Sequence, residues 1–156
     1  MPTSRPSRVL DALGVGPALV TVLKDVPLEN ASWLVSRRGR EQLVLRRYHP
    51  QASPEDLMYE HEVLRHLAAA GWVVPVPVSE LIRWDGLWYC LTRFVPGRPV
   101  TAENAAQQRQ RGADLARLHL ALRGLGDLIG QRPGWLAQHQ NVTVISDLDW
   151  RACVGA

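Results

Sequence analysis

The segment Gln42-Leu43-Val44-Leu45-Arg46-Arg47 constrains the fold more than any other stretch of this chain, because of what surrounds and follows it. Leu43 and Leu45 alternate with Gln42 and Val44, the period of a strand with one buried face, and the strand ends on two arginines. Ser53-Pro54-Glu55-Asp56 then opens a helix. It offers a hydroxyl that can cap free N–H groups, proline in the first turn, and two carboxylates facing the positive end of the dipole. The helix continues through Tyr59-Glu60-His61-Glu62-Val63-Leu64-Arg65-His66-Leu67, with Leu57, Leu64, Leu67 and Ala68 near one face and Gly71 as a left-handed end. Pro75-Val76-Pro77 forbids regular helix beyond it. A strand ending in cations, followed at once by a helix bearing carboxylates, is an arrangement suited to gripping the phosphates of a nucleotide.

On the amino-terminal side, the Val and Leu content of residues 18–26 predicts a strand. Trp33-Leu34-Val35-Ser36 predicts another after the break at Pro27, with Leu28 to Ser32 between them. Arg38-Gly39 supplies a turn into the third strand, Glu41 to Arg47. After the helix, Val78 to Trp84 and Leu87 to Phe94 read as a hairpin joined by the favoured turn Asp85-Gly86. The order is three strands, one helix, two strands. Residues 1–16 carry Pro, Ser and Gly with a helical hint at Arg8 to Leu13, and read as a partly ordered lead-in. Pro96-Gly97-Arg98-Pro99 reads as a linker. A long helix is expected from Thr101-Ala102-Glu103, with a stripe of Leu115, Leu118, Leu122 and Leu125 and an end at Gly124 and Gly126.

A chain of 156 residues suffices for one domain, and 46% hydrophobic with 21% charged residues is ordinary for a globular protein. No apolar run approaches the roughly 20 residues of a membrane helix. Met1-Pro2-Thr3-Ser4-Arg5-Pro6 lacks the core of a secretion signal, so the cytoplasm is the expected location and no membrane is an expected partner. The formal charge of +3 comes from dispersed arginines, with Lys24 the single lysine, and nucleic acid is not an expected partner. Cys90 and Cys153 are expected to be reduced thiols without metal-ligand company, and no metal is assigned to His49, His61, His66 or His139.

Together with Leu91-Thr92-Arg93-Phe94-Val95-Pro96-Gly97 and Leu115-Ala116-Arg117-Leu118-His119, this ordered set of motifs resembles the amino-terminal lobe of the aminoglycoside phosphotransferase and choline kinase-like family, from about Pro17 to Leu122. The resemblance implies an α+β, protein kinase-like fold. A five-stranded antiparallel nucleotide-binding lobe with one packed helix would span 17–95, a hinge linker 96–100, and the beginning of a helical second lobe 101–156. The cofactor implied is ATP, and the reaction is transfer of its terminal phosphate to a small-molecule alcohol. Arg46 would stand where protein kinases have a lysine, on the phosphates, with Glu60 orienting it, or Glu62 if the helix register slips. The turn holding Glu29, Asn30, Ala31 and Ser32 would cover the phosphates, and the Arg93 carbonyl and Val95 amide would meet adenine. His119 would be a buried structural histidine of the second lobe.

The family's acceptor-orienting His-Gly-Asp loop and its magnesium ligands have no counterpart in this sequence. Asp147-Leu148-Asp149-Trp150 follows the Leu115 to His119 helix too closely for that role, and Ser146 capping a helix is the plainer reading. The expectation is a truncated phosphotransferase, inactive alone, or a noncatalytic nucleotide-binding or regulatory fragment. Taken singly, Arg46 and Arg47 would also end an exposed strand, Glu60 and Glu62 would line a solvated helix face, and residues 29–33 would make a plain hairpin turn.

Overall fold

The computed structural model of the protein describes residues 5–24, 30–97 and 104–123, with Leu125 and Asp127. Its centre is an antiparallel sheet built from β1 (Leu19–Lys24), β2 (Ala31–Ser36), β3 (Leu43–Arg47), β4 (Ile82–Trp84) and β5 (Leu87–Arg93), in the order β1-β2-β3-β5-β4. The chain leaves the sheet after β3, crosses it through α2 (Pro54–Ala69), and returns as a hairpin whose second strand lies beside β3. Flanking helices are α1 (Arg5–Ala12) and α3 (Ala105–Ala121). This is the α+β, kinase-like amino-terminal lobe that the sequence predicts.

Period-two alternation decides which residues meet. Trp33, Leu45 and Leu91 sit opposite one another on three neighbouring strands, and Ala31, Val35, Leu43 and Tyr89 extend the same buried face. A sheet face this apolar must be covered, and α1 covers it with Val9 and Leu10, 0% and 2% exposed. Val9 and Leu10 thereby make α1 a covering helix of the core, where the sequence predicts a lead-in over residues 1–16. The sequence hint was faint because eight residues beginning Arg-Pro-Ser show hardly two turns of periodicity.

The opposite face carries α2 over a smaller cluster of Tyr48, Leu57 and Cys90, flanked by Ala52, Leu81 and Trp88. The start of α2 is the one its sequence announces. Ser53 Oγ accepts from the Asp56 amide at 3.1 Å, proline occupies the first turn, and Gly71 follows the helix at φ +85°. Asp85 and Gly86 both have positive φ, 51° and 78°, as a two-residue hairpin turn of the primed kind requires.

Elsewhere the boundaries move. β2 begins at Ala31 rather than Trp33, and β4 is confined to Ile82–Trp84. Upstream of β4, Ser79 Oγ accepts from the Leu91 amide at 2.9 Å in place of a ladder carbonyl, and Pro77, with no N–H, makes an isolated bridge to Thr92. α3 starts after Asn104, which forms a capping box with Gln107; the expected start at residues 101–103 lies outside the described residues. In α3, Leu118 and Leu122 are half-buried and Leu125 just beyond is buried, but Leu115 is 53% exposed and His119, expected to be buried, is exposed. A turn of 100° per residue carries His119 off the inward stripe. The histidine that joins helices is His66, whose Nε2 lies 3.1 Å from the Ala121 carbonyl oxygen.

The expectations for residues 98–100, Glu29, Cys153, His139 and the Asp147 to Trp150 segment lie outside the described residues. Among the described residues, no helix is long and apolar enough to cross a membrane. If α1 is a core element, Leu10→Ala should cost about 2–5 kcal/mol in urea denaturation. Leu19→Ala, on an edge strand and 70% exposed, should change stability by no more than about 0.5 kcal/mol.

Candidate functional site

Arg46 leaves β3 on the face that α2 covers, since it alternates with the core residue Leu45. α2 brings Glu60 to it. Arg46 Nη1 donates to Glu60 Oε1 at 2.8 Å, and both side chains stay partly exposed, at 29% and 37%. The reach across strand and helix that the sequence predicts is present, and Glu60 rather than Glu62 makes it. Glu62 pairs along the helix with Arg65. The choice follows from helix rotation: positions 60 and 62 differ by about 200°, so only one of them can face β3.

A ring supports the guanidinium. The carbon at the centre of the Arg46 guanidinium lies 4.8 Å from the centroid of the Tyr48 ring. Tyr48 is two residues on and on the same side of the chain, and its hydroxyl is hydrogen-bonded to His61 Nε2 at 2.8 Å. Both residues are buried. Desolvation holds the Tyr48 hydroxyl far above its ordinary value, against the nearby Arg46 charge. Desolvation also pushes His61 below its ordinary value, although Glu60 next to it acts the other way. The contact is thus between uncharged groups. Cys90, opposite Arg46 on β5, is likewise kept as a neutral thiol by burial, with Ser79 hydrogen bonds opposing the shift.

Register extends the site along one row. Lys24 of β1 is opposite Ser32 of β2, which is opposite Arg46 of β3. Cross-strand partners share a face, so the single lysine of the chain joins Arg46's row, two strands or roughly 10 Å away. Sequence reading missed Lys24, Tyr48 and His61. Tyr48 could have been found from its i, i+2 relation to Arg46, and His61 from its place beside Glu60. Lys24's alignment needed the sheet register, which an irregularity between Val22 and Lys24 shifts.

The turn residues fall differently from expectation. Ala31 and Ser32 are the first residues of β2, not part of a turn. Ala31 is fully buried in the core face and points away from Arg46, while half-buried Ser32 shares Arg46's row. Asn30 Oδ1 accepts from the His49 amide at 2.8 Å, which ties the entry of β2 to the exit of β3. The carboxamide oxygen of Asn30 is thereby engaged within the fold. At the other end, the Arg93 amide donates to the Val76 carbonyl at 2.8 Å, and Arg93 Nε pairs with Glu41 at 2.7 Å. Val95 lies two residues beyond β5 and is half-buried. Cys90 is opposite Arg46, so Arg93 is three residues, roughly 10 Å, along β5 from the cation.

A groove of about 600 Å³ occupies the other flank of α2, lined by Met58, His61, Glu62, Arg65, Leu81 and Trp88 among others, and neither Arg46 nor Glu60 borders it. Among the described residues, no group of three or more His, Cys, Asp or Glu side chains could hold a metal ion.

The phosphotransferase enzyme family model (APH) matches residues 25–142. Similar proteins include homoserine kinase of Xanthobacter autotrophicus, 31% identical over 99 residues, and homoserine kinase of Azorhizobium caulinodans, 33% identical over 99 residues. Each alignment takes in 60% of this chain and spans 30% of the relative's length.

The desolvated His61 sets a pH dependence whose sign is fixed. Its pKa in the fold lies below the ordinary value of 6.5, so the unfolded chain binds the proton more readily. Stability from this group is complete above pH 6.5 and falls as pH drops below it, by at most about 1.4 kcal/mol per pH unit, until folded His61 protonates. Urea denaturation at several pH values between 7.5 and 5.5 should show this loss, with a flatter profile for His61→Gln.

Proposed function

The chain belongs to the phosphotransferase enzyme family, and from that premise we propose that its α2-covered sheet face binds the phosphates of ATP for transfer to the hydroxyl of a small molecule. The observation that carries this reading is the Arg46–Glu60 pair at 2.8 Å. An arginine has five N–H donors, and Glu60 engages one nitrogen of the fork. The remaining donors can address phosphate oxygens with charge-assisted bonds, and a carboxylate partner keeps the guanidinium from collapsing onto other surface groups.

Ser32 and Lys24 continue the row for the phosphate chain, and the segment from Arg93 to Val95 meets the base. The spacing along β5 supports this division, since a nucleotide's base and its distal phosphates must be contacted some distance apart. Val95 offers backbone groups rather than a side-chain signature, and Asn30 acts by holding the β2 entry in place. Magnesium serves this chemistry in the family as a neutraliser of phosphate charge. Among the described residues, no cluster of three or more His, Cys, Asp or Glu side chains fits it.

A second reading, nucleotide binding without transfer, needs only the phosphate grip: the Arg46–Glu60 pair holds a cation in place, and Glu60, already engaged by Arg46, supplies no acceptor-orienting acid. Phosphoryl transfer is chiefly positioning and charge stabilisation, so the acceptor-orienting acid is among its main contributors. Labelled ATP offered with homoserine, choline, sugars and aminoglycosides separates the two readings, with transfer supporting the first and binding alone the second.

Calorimetry tests the phosphate site itself. Arg46→Ala should weaken ATP by about tenfold or more, the scale of one lost charge-assisted contact, and leave AMP nearly unchanged. Equal ATP affinities for the two proteins would remove Arg46 from the site.

A further inference from the structure

Nothing in the Arg46–Glu60 pair alone explains why it should keep one geometry. Both partners are partly exposed, and exposed ion pairs contribute little because water screens them. Fixing an arginine side chain costs rotamer entropy. The pair by itself therefore does not outweigh its own freedom. The missing contribution lies beneath it, in Tyr48 and His61.

Resting on the reading of Arg46 as a phosphate ligand, we propose that Tyr48 and His61 are positioning residues, whose buried hydrogen bond sets the rotation of α2 and whose tyrosine ring carries the Arg46 guanidinium. Three observations converge on this. Tyr48 and Arg46 lie on one side of the chain, with the guanidinium carbon 4.8 Å from the ring centroid, inside the range of a cation–π contact. The 2.8 Å contact between the Tyr48 hydroxyl and His61 Nε2 joins the exit of β3 to α2 across the buried cluster of Tyr48, Leu57 and Cys90. Finally, His61 and Glu60 are consecutive and about 100° apart around the helix, so once His61 faces Tyr48, Glu60 faces Arg46.

The two contacts also differ in strength in the useful direction. The Tyr48–His61 bond is buried and away from solvent screening, whereas the ion pair it orients is open to water. Burial keeps both members uncharged, so the bond does not compete for Glu60 or add charge beside Arg46. The groups facing His61 are Glu60, Glu62 and Arg65 from its own helix, with Arg46 and Tyr48 from the β3 side. The tyrosine is thus a support with two surfaces, a hydroxyl fixed to the helix and a ring face under the cation.

The test compares ATP with AMP on the full chain. Tyr48→Phe keeps the ring and loses the hydrogen bond, and should weaken ATP about fivefold. Tyr48→Leu loses the ring as well and should weaken it about tenfold or more. AMP affinity should stay within about twofold in both, because a general loss of structure would lower both nucleotides alike. His61→Leu should match Tyr48→Phe, and the double variant should be no weaker than either single, since the two act through one bond.

Wild-type ATP affinity in Tyr48→Leu, equal losses for ATP and AMP, or additive losses in the double variant would overturn the proposal. If Arg46→Ala itself leaves ATP affinity unchanged, the nucleotide reading is what fails. Positioning is then decided without ligand, by hydrogen exchange at Arg46 Nε followed by NMR. Faster exchange in Tyr48→Leu than in wild type upholds the positioning role, and equal exchange overturns it.

Discussion

The seating of α2 on the sheet is the contact on which the rest of the site depends. Its buried contacts include Leu57 against Tyr48 and Cys90, and the Tyr48–His61 hydrogen bond across that cluster. The core on the other face is larger and mainly apolar, with α1 covering Trp33, Leu45 and Leu91. Apolar packing holds the sheet together but is non-directional. Among the described residues, the Tyr48–His61 hydrogen bond is a buried directional contact between α2 and the exit of β3, and the proposed positioning of Glu60 rests on it.

This division between faces explains how one sheet combines a stable core with an open site. Every second residue of β2, β3 and β5 serves the α1 face, which leaves the alternate row of Ser32, Arg46 and Cys90 on the face that α2 covers. Cys90 closes the floor of that row as an uncharged thiol. Arg47, one residue on from Arg46, turns to the core side and lies 5.8 Å from the Trp33 ring. Two adjacent arginines thus end on opposite faces with different partners.

The two flanks of α2 are chemically distinct. Glu60 faces β3, whereas Glu62, Arg65 and Met58 face a groove bounded by Leu81 and Trp88. His61 stands between them, bonded to Tyr48 and bordering the groove.

Much of the fold was legible because its signals are local. The alternation at Leu43 and Leu45, the Ser53-Pro54 cap, Gly71 after the helix and the Asp85-Gly86 turn each specify backbone over a few residues, and the structure shows each of them. The Arg46–Glu60 pairing was also within reach, through the positions of strand and helix in a family pattern. Asn30 was not, because its partner is the amide of His49, nineteen residues away. The burial of Val9 and Leu10 needed a sheet face to cover, and the tie from His66 to Ala121 spans 55 residues.

The sequence by itself determined the elements, their order and the charges at the end of β3 and on α2. Tertiary structure alone decided which carboxylate meets Arg46, that Ala31 faces the core while Ser32 shares the cation's row, and that Tyr48 and His61 join beneath the pair. The physical reason is that periodicity fixes a side chain's direction only relative to its own element. The rotation of a helix on a sheet and the register between strands are fixed by packing between elements that sequence keeps far apart.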